Sequence, residues 1–281
     1  MKKQLKNRIK RVLHTTPRAA CRRFNLLNTL TRAYPITLAP HTITTEAGET
    51  IDLITVTDEQ QTFTISRSSR ISLYRNGIDK RLHTLKSLYL LDELTFTPDD
   101  IIIDCGANVG ELTTILQRQY DVHAICAEPE ALEVHALRCN TDSEKTDIHE
   151  VLLWNERTTL EYYPNNDTGD STIFKPAADV QPLQQTAVPL SELVQENSQF
   201  KKTGRIKLLK VEAEGAEPEI LQGARDILPN VEYVTVDCGP ERGLKHENTL
   251  IDSLDVLLAA GLKPIQFSHT RTTLLCRNER F

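Results

Sequence analysis

Ten residues, Ile101 to Gly110 (IIIDCGANVG), constrain this chain more than any other stretch. Three consecutive β-branched isoleucines suit a strand covered on both faces, as in a parallel sheet, and not one that alternates between core and water. Asp104 ends that strand with a carboxylate at its tip. Gly106 and Gly110 flank Ala107 and Asn108. Glycine tolerates positive φ and a close backbone approach, and the helix expected from Glu111 offers free amides to the same space. The spacing D-x-G-x-x-x-G is not the dinucleotide fingerprint, because Asn108 and Glu111 stand where its later glycines belong. A pyrophosphate cradle is disfavoured.

The second half of the signal follows at Val122 to Ala127, an apolar run apart from His123 that ends in Glu128-Pro129. Glu128 lies close to the offset at which doubly wound sheets place an acid accepting from a ribose diol. Glycines, an acid at the first strand tip and a ribose acid, without a phosphate cradle, describe a site for S-adenosylmethionine. The cofactor-binding candidates are Asp104, Gly106, Asn108, Gly110, Glu128 and Glu212. The plainer alternative is a tight βα turn beside an exposed acid.

Glu212 belongs to a second cluster, Leu208 to Ala224 (LLKVEAEGAEPEILQGA). Its strand ends in Lys210, Glu212 and Glu214, and Gly215 permits the turn into a helix. Ligands of open α/β sheets bind outside the carboxyl ends of the strands, so these acids are expected beside the cofactor. Their mutual repulsion calls for a nearby positive charge. Glu217 is expected only to favour the helix N-terminus.

Along the chain, residues 42–45, 50–57, 61–65 and 70–74 form short Thr- and Ile-rich segments that predict an antiparallel meander. A helical stripe of leucines runs from Leu82 to Leu94. After the strand at Ile101, helices are expected over 130–140, 216–228 and 249–260, with strands over 148–153, 205–211 and 231–237. A closing hairpin is expected around 264–267 and 272–276. Strands alternating with helices imply a mostly parallel sheet with helices on both faces. The chain divides into a prelude, residues 1–79, and a catalytic domain, residues 80–281.

IIIDCGANVG, the AEPE of Ala127 to Glu130, the VPLSEL of Val188 to Leu193 and LLKVEAEGAEPEILQGA together resemble the FkbM-type methyltransferases. The resemblance spans about residues 98–277. One departure is Glu212, where the family pattern usually has Asp. The resemblance implies an α/β, Rossmann-like class I fold with a seven-stranded sheet, S-adenosylmethionine as donor, and O-methylation of a sugar, glycan or secondary metabolite. The prelude, a small α+β extension, lies outside it.

A sugar hydroxyl is a poor nucleophile at neutral pH and requires a base or a metal. The catalytic candidates are Glu212, Asp237 at the end of the next strand, and His246 in the loop beyond; Glu214 is a further candidate base. Glu212 and Asp237 end neighbouring strands, where they are suited to hold a divalent cation or a diol. No H-x-x-x-H or EF-hand spacing supports the cation, and metal dependence is not favoured. Asp170, Ser171 and Thr172 are placed to contact a hydroxylated ligand. The run Gly239 to Gly243 is a candidate lid in which Arg242 grips an anion. Trp154, the sole tryptophan, is expected in the core.

Composition narrows the function classes. The net charge is −6, yet no acid precedes Glu46 and ten Lys and Arg lie before it, which leaves −16 on the rest. That acidic domain, only 5% aromatic overall, disfavours nucleic acid as a partner. The basic leader, with the short apolar stripe Leu5, Ile9, Val12 and Leu13, is a candidate for peripheral contact with an anionic membrane face. No apolar run approaches the ~20 residues of a membrane span, and no secretory pattern opens the chain, so a soluble cytoplasmic protein is expected. Six cysteines without a C-x-x-C pair point to reduced core thiols. Dinucleotide dehydrogenases, nucleic-acid methyltransferases and a non-catalytic ligand-binding protein are the alternative classes.

Overall fold

The computed structural model describes residues 16–31, 34–165, 167–176 and 179–281. Most of the basic leader, with its proposed membrane contact, lies outside them. Among the described residues no helix is long and apolar enough to cross a membrane.

The elements run α1 (Pro17–Thr31), β1 (Thr37–Thr44), β2 (Thr50–Thr57), β3 (Thr62–Ile65), a 3-10 turn (Ser68–Tyr74), α2 (Ile78–Leu88), β4 (Ile101–Cys105), α3 (Glu111–Tyr120), β5 (His123–Ala127) and α4 (Ala131–Asn140). They continue through β6 (Thr146–His149), β7 (Leu152–Leu153), β8 (Thr158–Tyr162), β9 (Leu183–Val188), α5 (Leu190–Glu196), α6 (Ser198–Thr203), β10 (Ile206–Val211) and α7 (Glu217–Gly223). The last are β11 (Val231–Asp237), α8 (Leu250–Ala259), β12 (Leu262–Ser268) and β13 (Thr273–Asn278).

Seven strands form one sheet in the order β12-β13-β11-β10-β4-β5-β6. β4 pairs in parallel with both β5 and β10, and β10 with β11. β13 is antiparallel to both of its neighbours. This is the Rossmann-like, mostly parallel α/β architecture expected from the alternation of strands and helices. Strand β4 lies inside the sheet between β10 and β5, and all five of its residues are buried. Because β4 turns outward to β5 on one side while β10 comes from later in the chain on the other, the strand order reverses there, opening a crevice at the carboxyl ends.

Three local expectations are corrected. Arg70 to Tyr74 is not a fourth meander strand: Ile71 and Tyr74, three apart, both point inward and eclipse each other as a 3-10 turn requires. The helix expected to Leu94 ends at Leu88, and Leu90 turns left-handed with φ 62°. The single strand expected over 148–153 is two: β6 joins the main sheet, whereas β7 joins a separate small sheet with β9 and β8.

The meander β1-β2-β3 shares a hydrophobic cluster with the main domain, from Phe24, Leu53 and Phe63 to Leu112, Leu137 and Leu208. Polar ties reinforce it. The Asn140 amide bridges both backbone groups of Thr64, at 2.8 and 2.7 Å, and Ser66 donates to Glu133 at 2.9 Å. The prelude is therefore packed into the domain wall. Trp154 sits among the hydrophobic clusters, and all six cysteines are free.

Candidate active site

A cavity of about 510 Å³ opens at the carboxyl ends of β4, β5 and β10, within the ~300–1,000 Å³ usual for small-ligand sites. The loop after β4 forms its floor. Gly106, Asn108 and Gly110 all adopt left-handed φ, of 71°, 51° and 82°, which asparagine tolerates better than most side chains. A Cβ on Gly106 would lie 2.0 Å from the carbonyl oxygen of Glu212, and one on Gly110 would lie 2.5 Å from Leu137. Both glycines thus let protein pack on protein. Gly106 and Asn108 also line the cavity, whereas Gly110 stands behind it as the residue preceding α3.

Glu128 lines the cavity at the tip of β5 and is almost wholly buried. Its carboxylate accepts from the Asn108 amide at 2.8 Å and the Glu130 amide at 3.0 Å. A carboxylate has about four acceptor sites, so roughly two remain for a ligand's hydroxyls. Burial pushes its pKa up to about 7, against the lowering effect of the two amides. Beside it Val151, Leu152 and Leu153 form an apolar wall.

The central strands meet in an ion-pair network. Lys210, buried, faces Asp104 at 3.1 Å and Glu212 at 3.5 Å, and donates to the carbonyls of Cys105 and Gly106 at 3.0 and 2.7 Å. Thr113 donates to Asp104 at 2.9 Å. Burial would lower the Lys210 pKa, but Asp104 and Glu212 outweigh it and raise the value. Glu212 also accepts from Tyr89 and Arg271. Burial opposes its ionisation, yet Lys210 and Arg271 hold its pKa at about 2. A carboxylate so firmly ionised is a weak base and a good anchor.

Arg271 reaches on to Asp237 at 2.5 Å, bridging the two acids that the sequence analysis offered to a cation or diol. The guanidinium occupies that role itself. Among the described residues no group of three or more His, Cys, Asp or Glu is arranged to hold a metal ion.

The remaining candidates separate. Asp237 is buried behind the cavity wall, and His246 is exposed in its loop with φ 51°, away from the lining. Arg242 is not a free anion grip: it pairs with both oxygens of Glu219, at 2.8 and 2.6 Å, and stacks on Phe174. Glu217, the first residue of α7, is buried and accepts from the amides of Ala213 and Gly215 in the preceding turn and from the Thr249 hydroxyl. Asp170, Ser171 and Thr172 do line the cavity, where Ser171 donates to Glu130 at 2.6 Å.

Among the described residues, four lining acids have no ion-pair partner, Glu128, Asp170, Glu214 and Glu241, and burial with neighbouring acids perturbs the last two strongly. Glu214 is pushed up to about 9 by burial and by Glu241 and Asp170. Glu241 is pushed to about 7 by burial and then by Asp237 and Glu212, and its Oε2 is buried without a hydrogen-bond partner. Tyr89, Arg271 and Arg70 are lining residues that sequence reasoning missed. No local motif marks them: the closing hairpin brings in Arg271, the docking of the prelude brings in Arg70, and Tyr89 enters from the end of α2.

The Methyltransferase FkbM domain matches residues 104–258, more than half of the chain, and includes both strand-tip clusters. The chain belongs to the FkbM methyltransferase family. Among similar proteins, this FkbM member is 27% identical over 190 residues to Methyltransferase 1 of Beauveria bassiana (strain ARSEF 2860), covering 58% of this chain and 74% of that one. It is 23% identical over 209 residues to 2-O-methyltransferase NoeI of Sinorhizobium fredii (strain NBRC 101917 / NGR234), covering 69% and 85%. Solved structures with partial overlap include the magnesium protoporphyrin IX methyltransferase ChlM from Synechocystis PCC 6803 with bound SAH, at 9% identity, 74% and 86% coverage and a TM-score of 0.42. Another is the sugar N-methyltransferase KedS8 from Streptoalloteichus sp ATCC 53650, at 10% identity, 70% and 86% coverage and a TM-score of 0.38.

Proposed function

We propose that this FkbM methyltransferase moves the methyl group of S-adenosylmethionine to a hydroxyl of a sugar, glycan or secondary metabolite. When bound, the donor would supply an electrophilic methyl on a sulfonium. Glu128 would accept from its ribose diol and the Val151–Leu153 wall would face its purine. The observation that carries the reading is that Glu128, with open acceptor sites, and Glu241, with an unpartnered buried oxygen, line the same cavity. Glu241 is the best placed general base, because an acid whose pKa lies near 7 is half ionised at working pH and can take a hydroxyl proton as the oxygen attacks. Glu212, tied to Tyr89, Lys210 and Arg271, would position the floor of the site and leave the proton to Glu241.

The acceptor's class is supported by the relative named as a 2-O-methyltransferase and by the hydroxyl- and carboxylate-bearing loop at Asp170 to Thr172. A surplus of lining acids favours a small hydroxylated acceptor over a phosphate backbone. Incubation with methyl-labelled donor and a panel of sugars and glycans tests the reading. Label recovered in ether-linked methyl groups supports it; label found only on nitrogen or carbon would refute O-transfer.

A further inference from the structure

Among the residues lining the cavity, acids outnumber bases seven to four. Three of the four bases are internally matched. Arg81 holds Glu111 at 2.5 Å, Lys210 faces Asp104, and Arg271 bridges Glu212 and Asp237. Arg70 is the exception: among the described residues it has no ion-pair partner, and its Nε is buried without a hydrogen-bond partner. The carboxylate whose field it shares, Glu111, is already taken by Arg81 and Tyr74. A buried guanidinium nitrogen left unpaired is costly and calls for a partner that arrives with a ligand.

The prelude places this arginine deliberately. Ile71 and Tyr74 bury one face of the 3-10 turn, leaving Arg70 to the cavity side. Arg67, one turn earlier, is anchored to Glu133 and, at 3.4 Å, to Glu130 of the domain, and Ser69 donates to the Asp167 carbonyl at 2.7 Å. The turn is thus clasped between α4 and the loop that carries Asp170.

Once the matched pairs are set aside, the cavity presents Glu128, Asp170, Glu214 and Glu241 against the single cation Arg70. That pattern complements a ligand with two positive charges and one carboxylate. The donor's amino-acid tail and sulfonium have that make-up. Resting on the donor assignment above, we infer that Arg70 receives the donor's carboxylate, so that a residue outside the matched FkbM domain completes the donor site and makes the prelude part of the active site.

Calorimetric titration of the full chain tests this, using S-adenosylhomocysteine and 5′-deoxy-5′-methylthioadenosine, which shares the purine, ribose and thioether but has no carboxylate. Arg70→Gln and Arg70→Lys are compared with wild type. The expected result is that Arg70→Gln weakens S-adenosylhomocysteine at least tenfold and Arg70→Lys by less, because lysine keeps the charge and loses the fork, while methylthioadenosine is unchanged. Equal binding of S-adenosylhomocysteine by wild type and Arg70→Gln would overturn the inference and leave the donor assignment standing. An equal loss of both ligands would overturn it as well, showing a merely structural role. Failure of the wild type to bind either ligand would instead remove the donor assignment itself.

Discussion

Lys210→Met replaces the one cation shared by the two central strand tips with an apolar side chain of similar length. The ammonium lies 3.1 Å from Asp104 and 3.5 Å from Glu212. At an effective dielectric of about 20, each contact is worth roughly 5 kcal/mol of gross attraction, much of it offset by desolvation. Glu212 keeps Arg271 and Tyr89, so the loss falls on Asp104, which retains only the Thr113 hydroxyl. The Gly106 carbonyl also loses its 2.7 Å donor. Stranding a buried charge in this way costs about 3–5 kcal/mol. At roughly 2–4 °C per kcal/mol for chains of this order, the melting temperature at pH 7 should fall by about 6–20 °C.

The pH dependence sharpens that test. Lys210's pKa is raised on folding, so its contribution is present below its ordinary 10.5 and lost only as pH rises through the still higher folded value. Glu212's pKa is depressed to about 2, so its contribution is present above 4.5 and fades as pH falls toward 2. The wild-type network is therefore strongest between these limits. Acidification from pH 4.5 toward 2 should lower wild-type stability through Glu212. Melting curves followed by circular dichroism read both effects. A shift under about 3 °C at pH 7 would refute the assignment of Lys210 as the network's counter-ion.

Glu241→Gln should lower kcat by about 10²–10⁴ while leaving S-adenosylhomocysteine affinity within threefold, and the acid limb near pH 7 in the kcat/KM profile should disappear; an unchanged profile would assign the base elsewhere. Gly106→Ala forces a Cβ against the Glu212 carbonyl at a φ of 71°, and should cost about 1–3 kcal/mol or more in urea melts; a neutral result would mean the two strand tips separate easily. His246→Ala should leave kcat/KM within twofold, since the ring is exposed and outside the cavity; a hundredfold loss would show that the loop closes over the substrate.

The parallel sheet and the two strand-tip clusters were legible because each is local. A buried β-branched strand, a turn with left-handed residues and an acid at the next tip all lie within Ile101 to Glu128, and the register of β4 with β5 and β10 brings them together. The individual roles at the tips were less legible. Glu212 looks like a base in isolation, and only its neighbours Tyr89 and Arg271, 123 and 59 residues away in sequence, make it an anchored anion. Asp237 reads as a strand-tip acid facing the crevice, but Arg271 from the β12–β13 turn covers it. The 3-10 turn at Ser68 to Tyr74 resembles a strand in composition, because Ile, Leu and Tyr suit both, and tertiary burial of Ile71 and Tyr74 decides the outcome.

The donor site at Glu128 is the central claim, and titration with S-adenosylhomocysteine between pH 8 and 6 tests it most directly. Ribose hydroxyls donate to an ionised Glu128, whose pKa in the free protein is about 7. Wild-type affinity should therefore fall as pH drops through 7, approaching about tenfold per unit below it. Glu128→Gln should bind roughly ten- to a hundredfold more weakly at pH 8, the loss of one or two charge-assisted hydrogen bonds, with no pH dependence from this group. Wild-type binding that is independent of pH and equal to that of Glu128→Gln would contradict the claim.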